Sequence, residues 1–226
     1  MFDNLRNTID FNIRNLTKFS RKNYIEKNQK IITRTKAENK YIFDVLNNSF
    51  SKNNKKYIKI LDIGSKNWFY AKGEYNYFNS FCSNFSLIGI ELDAYRLYSN
   101  FYSRYEVAQY HIKDLKNTEY KAENLLNINE KFDYITWFLP FIFKNSLIYW
   151  GLPQKYYQPE ILLNHAYNIL NKDGQLLIVN QGIKEKNQQE KMLQKLNISY
   201  KYLGEIKNNF FQYENQRFGF IIKKTN

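Results

Sequence analysis

Cysteine is almost absent. Cys82 is the single one in 226 residues, so the chain can close no disulfide within itself and build no thiolate metal cluster. Histidine is nearly as scarce, and His111 and His165 alone do not make a histidine-rich zinc site. Only 8 Gly and 3 Pro are present, which argues against a low-complexity or disordered chain. The longest apolar stretch runs from Ile135 to Phe143, about half of the roughly 20 residues that a spanning helix needs. The start, Met1-Phe2-Asp3-Asn4-Leu5-Arg6, has no apolar signal core. These absences lead us to expect a soluble, unprocessed protein of the reducing cytoplasm, with no metal and no membrane partner. Cys82 reads as a small buried hydrophobe.

Aromatic residues are abundant. They make up 18% of the chain, with 20 Tyr and 18 Phe, so an aromatic-rich core is expected. The net charge is +13, and it is uneven. Residues 1–60 hold 14 Lys and Arg against 5 Asp and Glu, whereas the other 166 residues carry only +4. A basic N-terminal face suits a polyanion such as nucleic acid. Only 7 of the 34 basic residues are Arg, the better phosphate ligand, so compositional drift weighs equally.

Residues 1–56 read as a basic helical extension. Phe11, Ile13, Leu16 and Phe19 recur at loosely helical spacing, and Tyr41, Ile42, Val45 and Leu46 predict a helix over about 36–48. A polar stretch from Asn47 to Lys56 follows as a linker. Beyond it, residues 57–226 alternate between apolar β-branched runs and helical patterns. Strands are expected at 57–64, 85–91, 118–125, 132–139 and 175–180. Helices are expected from Asp93 as a cap, from Pro159, and over 188–196. Gly174 suits a left-handed cap closing the second of these. Tyr200–Ile206 and Arg217–Lys223 read as an antiparallel hairpin around a polar turn. The order predicts an α/β fold: a doubly wound, mostly parallel seven-stranded sheet with an antiparallel C-terminal hairpin and an N-terminal helical extension.

In such sheets ligands sit beyond the carboxyl ends of the strands. The first strand ends in Leu61-Asp62-Ile63-Gly64-Ser65, where Gly64 permits a tight turn and close backbone approach. The second ends in Ile90-Glu91-Leu92-Asp93, and Glu91 follows Gly64 by 27 residues. A carboxylate there can accept from both hydroxyls of a ribose. The pair describes a nucleoside site.

Residues 57–226 thereby resemble the class I S-adenosylmethionine-dependent methyltransferases. The resemblance rests on Ile60–Ser65, Leu87–Asp93, Ala122–Leu126, Lys131–Ile135 and Leu170–Ile178, five motifs in order. It implies S-adenosylmethionine as cofactor. Asp62, Gly64 and Ser65 would then approach its methionine part, Glu91 its ribose and Leu92 its adenine face. Glu123 or its neighbour Asn124 would meet the adenine amino group. The chain departs from the family at the first loop, where Ser65-Lys66-Asn67-Trp68 replaces further glycines. A dinucleotide pyrophosphate needs those glycines, so the departure counts against NAD. Lys66 and Trp68 become possible cofactor or substrate contacts.

Amino-directed DNA methyltransferases carry Asn or Asp at the end of the fourth strand. Phe138 stands there, and it accepts no hydrogen bond from an amine. Trp137 and Phe141 can shape an aromatic pocket or simply pack. Trp137, Asn180 and Gln181 are the candidate catalytic residues, and Trp150-Gly151-Leu152-Pro153 with Tyr156-Tyr157 a candidate lid. His165 reads as a packing residue on an apolar helix face, His111 as exposed, and Asp133 as structural. The expected function is methyl transfer to a small-molecule or protein acceptor. The alternatives are an RNA methyltransferase using the basic extension, which requires RNA affinity that falls steeply with salt, and a non-catalytic partner subunit of the same fold.

Overall fold

The computed structural model describes residues 29–98 and 101–225, with side chains from residue 34 onward. The helical spacing at Phe11, Ile13, Leu16 and Phe19 lies outside the described residues. Helix α1 (Gln29–Ser49) leads into β1 (Ile58–Ile63), α2 (Ala71–Asn79), β2 (Phe85–Ile90), α3 (Arg104–Ile112) and β3 (Thr118–Lys121). Then come β4 (Phe132–Phe138), α4 (Lys144–Tyr149), α5 (Pro159–Asn168) and β5 (Leu170–Gln181). Helix α6 (Gly182–Lys195), β6 (Lys201–Glu205) and β7 (Arg217–Lys223) complete the chain.

The seven strands form one sheet in the order β3-β2-β1-β4-β5-β7-β6. The first five pair in parallel, and β7 runs antiparallel to both β5 and β6. This is the mixed sheet expected, with the strand order reversing between β1 and β4. Register brings the carboxyl ends together: Ile63 lies opposite Ile90 and Trp137, and Phe138 opposite Val179. Because β7 is antiparallel, its first residue, Arg217, lies opposite Gln181 on that same edge.

Two cores cover the two faces. One holds Leu61, Ile88, Ile135, Leu176 and Ile178 with Leu163, Met192 and Leu193 of the helices. The other holds Ile58, Ile60, Leu87 and Leu177 beneath α1 and α2, and the aromatic residues collect there. Phe50 meets Tyr134 at 5.1 Å, Tyr77 meets Phe78 at 5.0 Å, and Phe78 meets Tyr134 at 5.3 Å between ring centroids. Such ring pairs add about 0.5–1.5 kcal/mol each beyond the area they bury.

Helix α1 belongs to this core. Tyr41, Ile42, Val45 and Leu46 recur at helical spacing, and all are buried. Asn39 fixes its docking: its Oδ1 accepts from the Gly73 amide at 2.6 Å, and its Nδ2 donates to the Phe69 carbonyl at 2.9 Å. A Cβ on Gly73 would stand 2.4 Å from the Asn39 carbonyl oxygen, so the close approach of α1 and α2 requires glycine.

Four local expectations are corrected. No helix follows Asp93; residues 92–95 form a turn, and α3 starts at Arg104 under a Ser103–Glu106 capping box. His111 is half-buried in the last turn of α3 rather than exposed. The left-handed residue is Asp173 (φ 62°), within β5 at the irregularity between Leu170 and Gln175, and not Gly174; a Cβ on Gly174 would meet the Asn171 carbonyl oxygen at 2.8 Å. Helix α5 ends at Asn168, because Leu170 already pairs with Phe132 in the sheet. Asp133 is structural, as read. It accepts from the Lys59 amide and the Asn171 amide group, each at 2.9 Å, and pairs with Lys55. His165 meets the Ile128 carbonyl at 2.9 Å on the packed side of α5.

Candidate functional site

The loop after β1 begins at Gly64, whose φ of 71° is the left-handed value that glycine adopts without strain. Lys66 (φ 54°) and Trp68 (φ 44°) are left-handed as well, at a cost of about 1–3 kcal/mol each. Tertiary contacts replace the missing glycines. The Lys66 amide donates to Glu91 Oε2 at 2.9 Å, and its carbonyl accepts from the Tyr120 hydroxyl. The Trp68 ring is wholly buried, with its Nε1 donating to Glu74 at 2.8 Å. Gly89 in β2 makes room for it: a Cβ there would lie 2.8 Å from both the Trp68 ring and Ser65 Oγ.

Glu91 stands at the end of β2. Its Oε1 accepts from the Asp93 amide at 2.8 Å, and Arg104 lies 3.8 Å away. Burial outweighs these contacts and holds its carboxyl above the ordinary range. Beyond the strand ends opens a cavity of about 790 Å³. Ile63, Gly64, Lys66, Glu91, Leu92, Glu123 and Asn124 line one end of it. Glu123 accepts from the Asn124 amide at 2.8 Å, and Asn124 caps the turn at Leu125–Asn127.

Asp62 and Ser65 do not line the cavity. Both are buried beneath the loop, with Ser65 Oγ donating to the Asp62 carbonyl at 3.0 Å. The Asp62 carboxyl accepts from the Tyr70 hydroxyl at 2.8 Å, and Tyr70 does line the cavity. Thr136, opposite Asp62 in β4, places its Oγ1 2.8 Å from Asp62 and 2.8 Å from Glu74. One hydroxyl carries one proton and can donate to only one of them. The second carboxyl must donate to Thr136, so the pair shares a proton. Burial raises both groups: Asp62 is pushed up to about 7, and Glu74 lies well above its ordinary value.

Of the candidate catalytic residues, Trp137 and Gln181 line the cavity and Asn180 does not. Asn180 is fully buried, and neither atom of its amide has a partner among the described residues. Phe138 and Phe141 line the wall. Trp150, just after α4, also lines the cavity. Lys66 lies over its ring at 4.8 Å and Arg104 at 5.2 Å. Trp68, in contrast, is wholly core.

The other end of the cavity was not legible in the sequence. Arg34, Glu38 and Tyr41 of α1, Glu185 and Gln189 of α6, and Tyr213 and Arg217 meet there. They come from four separate parts of the chain, and no local pattern marks them. Arg34 pairs with Glu38 at 3.2 Å, Tyr41 meets Tyr213 edge-on at 5.3 Å, and the Arg217 guanidinium lies 4.4 Å from the centre of the Tyr213 ring. Among the described residues no group of side chains could hold a metal ion, and no helix is long and apolar enough to cross a membrane.

No family model matches the chain, and no curated protein matches it in sequence. Solved structures do match. One is magnesium protoporphyrin IX methyltransferase from Synechocystis with bound S-adenosylmethionine, at 10% identity and a TM-score of 0.53 over 99% of this chain and 94% of that one. A methyltransferase from Pyrococcus furiosus is 19% identical, with a TM-score of 0.54 over 84% of this chain and 83% of the other. The N-methyltransferase NodS from Bradyrhizobium japonicum is 12% identical, with a TM-score of 0.53 over 84% and 97%. With this sheet order and these likenesses, the chain has the fold of the class I S-adenosylmethionine-dependent methyltransferases.

Proposed function

We propose that this chain transfers a methyl group from S-adenosylmethionine to a small-molecule acceptor. One observation carries the reading: Gly64 at the end of β1 and Glu91 at the end of β2 line one end of a single cavity whose other end is aromatic and polar.

The residues fit the cofactor. Nothing lies within 4 Å of where a Gly64 Cβ would stand, so the backbone there is open to a ligand. Each Glu91 oxygen takes one backbone donor and keeps a lone pair for a hydroxyl. Glu91 would hold the ribose, Leu92 would pack on the adenine, and Glu123 or Asn124 would take its amino group. Gly64 would approach the methionine part. Asp62 and Ser65 would support that loop from below rather than touch the ligand. When bound, the cofactor supplies an electrophilic sulfonium methyl. This chain's part is placement and dryness. Trp137, Phe138, Phe141 and Trp150 line the cavity and exclude water, and positioning is what methyl transfer most needs. A concave cavity of this size with aromatic residues in its walls favours a small molecule over a protein side chain or a polynucleotide.

The test is the melting midpoint with S-adenosylmethionine, S-adenosylhomocysteine and NAD. At 100 times its dissociation constant a ligand stabilises by about 2.7 kcal/mol, a rise of about 5–10 °C for a chain of this size. A rise with the first two and none with NAD is expected. No rise with either sulfur nucleoside would refute the proposal.

A further inference from the structure

The end of the cavity away from Glu91 is a cluster of donors with too few acceptors. Arg217 is only 9% exposed. Its Nη1 donates to the Asn215 carbonyl at 3.0 Å and reaches the Gln216 carbonyl at 3.5 Å. A guanidinium has five N–H donors in a rigid fork, so most of this one is unspent. Among the described residues it has no carboxylate partner. Glu185 influences it electrostatically, yet one oxygen of Glu185 already accepts from the Gln181 amide at 2.9 Å. Burial also holds Glu185 above the ordinary carboxylate range, which weakens it as a counter-charge. The Arg217 charge is itself disfavoured by burial.

Two more donors stand in the same walls. The Tyr41 hydroxyl and the Gln189 Nε2 are buried, out of solvent, and without a partner among the described residues. Gln189 lies one helical turn beyond Glu185 on α6, and Tyr41 packs edge-on against the Tyr213 ring that carries Arg217. Leaving a buried donor without a partner is unfavourable, and leaving a buried cation without one is more so. The same cavity is lined by Phe69, Tyr70, Phe138 and Val179, with the Tyr70 ring edge-on to Phe69 at 5.2 Å and to Phe138 at 5.5 Å.

We propose that this end anchors the methyl acceptor, and that the acceptor is a small organic acid with its carboxylate on the Arg217 fork and its apolar body among the rings. The term acceptor rests on the methyltransferase reading above; the carboxylate site itself does not. A carboxylate matches the planar guanidinium with two parallel hydrogen bonds. It brings a single negative charge to match the single Arg217 cation, whereas a doubly charged phosphate would leave one charge over in a wall where burial already disfavours the ionised forms of Glu38 and Glu185.

The test uses calorimetry on the full chain, with and without S-adenosylhomocysteine. The probes are phenylacetate, its neutral isostere phenylacetamide, and the dianion phenyl phosphate. Phenylacetate should bind about tenfold or more tighter than phenylacetamide, the worth of a charged hydrogen bond, and tighter than phenyl phosphate. Arg217→Gln should erase that preference. Arg217→Lys should keep part of it, since an ammonium attracts the charge and loses the fork. Tyr41→Phe removes one hydroxyl at no cost in volume and should weaken phenylacetate alone. Each variant's melting midpoint checks its fold. Equal binding of acid and amide, no binding of phenylacetate, a preference surviving in Arg217→Gln, or tighter phenyl phosphate would each overturn the proposal. Binding of S-adenosylhomocysteine without any charge preference would sink the carboxylate site and leave the methyltransferase reading standing. Charge preference through Arg217 without nucleoside binding would do the reverse.

Discussion

Replacing Glu74 with Gln should remove a pH dependence that the wild-type chain carries in its core. Asp62 and Glu74 share a proton across the Thr136 hydroxyl in the folded state. In the unfolded chain both carboxyls titrate near their ordinary values of 3.8 and 4.5. Between that range and the pH at which the buried Glu74 carboxyl ionises, well above its ordinary value, the folded state holds one proton more than the unfolded state. Stability therefore falls as pH rises through this window, by about 1.4 kcal/mol per pH unit for one proton. For a chain of this length that is a drop of about 3–6 °C in melting midpoint per unit. The amide introduced by Glu74→Gln reproduces the protonated carboxyl. Its nitrogen donates to Thr136, Thr136 donates to Asp62, and its oxygen accepts from Trp68 Nε1, which in the wild type donates to Glu74 at 2.8 Å. Melting curves of both proteins from pH 5 to 8 give a difference in which other titrating groups cancel. The Glu74→Gln protein should gain on the wild type by about 1.4 kcal/mol per unit across this range. Parallel curves would mean that no proton is shared, and the reasoning would be wrong.

Two further outcomes follow from the same loop. Gly89→Ala places a methyl 2.8 Å from the Trp68 ring and should cost about 1–3 kcal/mol, read in denaturant titration; an unchanged midpoint would show that the loop yields freely. Glu91→Gln should weaken S-adenosylhomocysteine about tenfold to a hundredfold in calorimetry, since a charged acceptor is lost, and unchanged affinity would remove Glu91 from the ribose.

The strands were legible because burial on both faces demands apolar runs, and β1, β2 and β4 lie within a residue or two of their expected bounds. Strand β5 starts five residues early, since its pairing with Phe132 is a tertiary contact. The short helix α2 was not read at all: its polar sequence, Ala71–Asn79, is held by the packing of Tyr77 and Phe78 and by Asn39 from α1.

The site divides in the same way. The sequence by itself determined the end of the cavity at Gly64 and Glu91, because the two lie at the ends of adjacent strands joined by one helix. Short-range spacing there is also spatial position. It did not determine that Asp62 turns inward, since the orientation of a carboxylate at a strand end depends on Thr136 and Glu74, residues 74 and 12 positions further on. The far end of the cavity, at Arg217 and Tyr41, was decided only by the tertiary structure. Arg217 reaches the cavity because β7 inserts antiparallel beside β5 and so presents its first residue, not its last, at the carboxyl edge. Tyr41 reaches it because Asn39 and Gly73 hold α1 close against α2. Those long-range contacts leave no local periodicity to read, and they set which groups face the cavity.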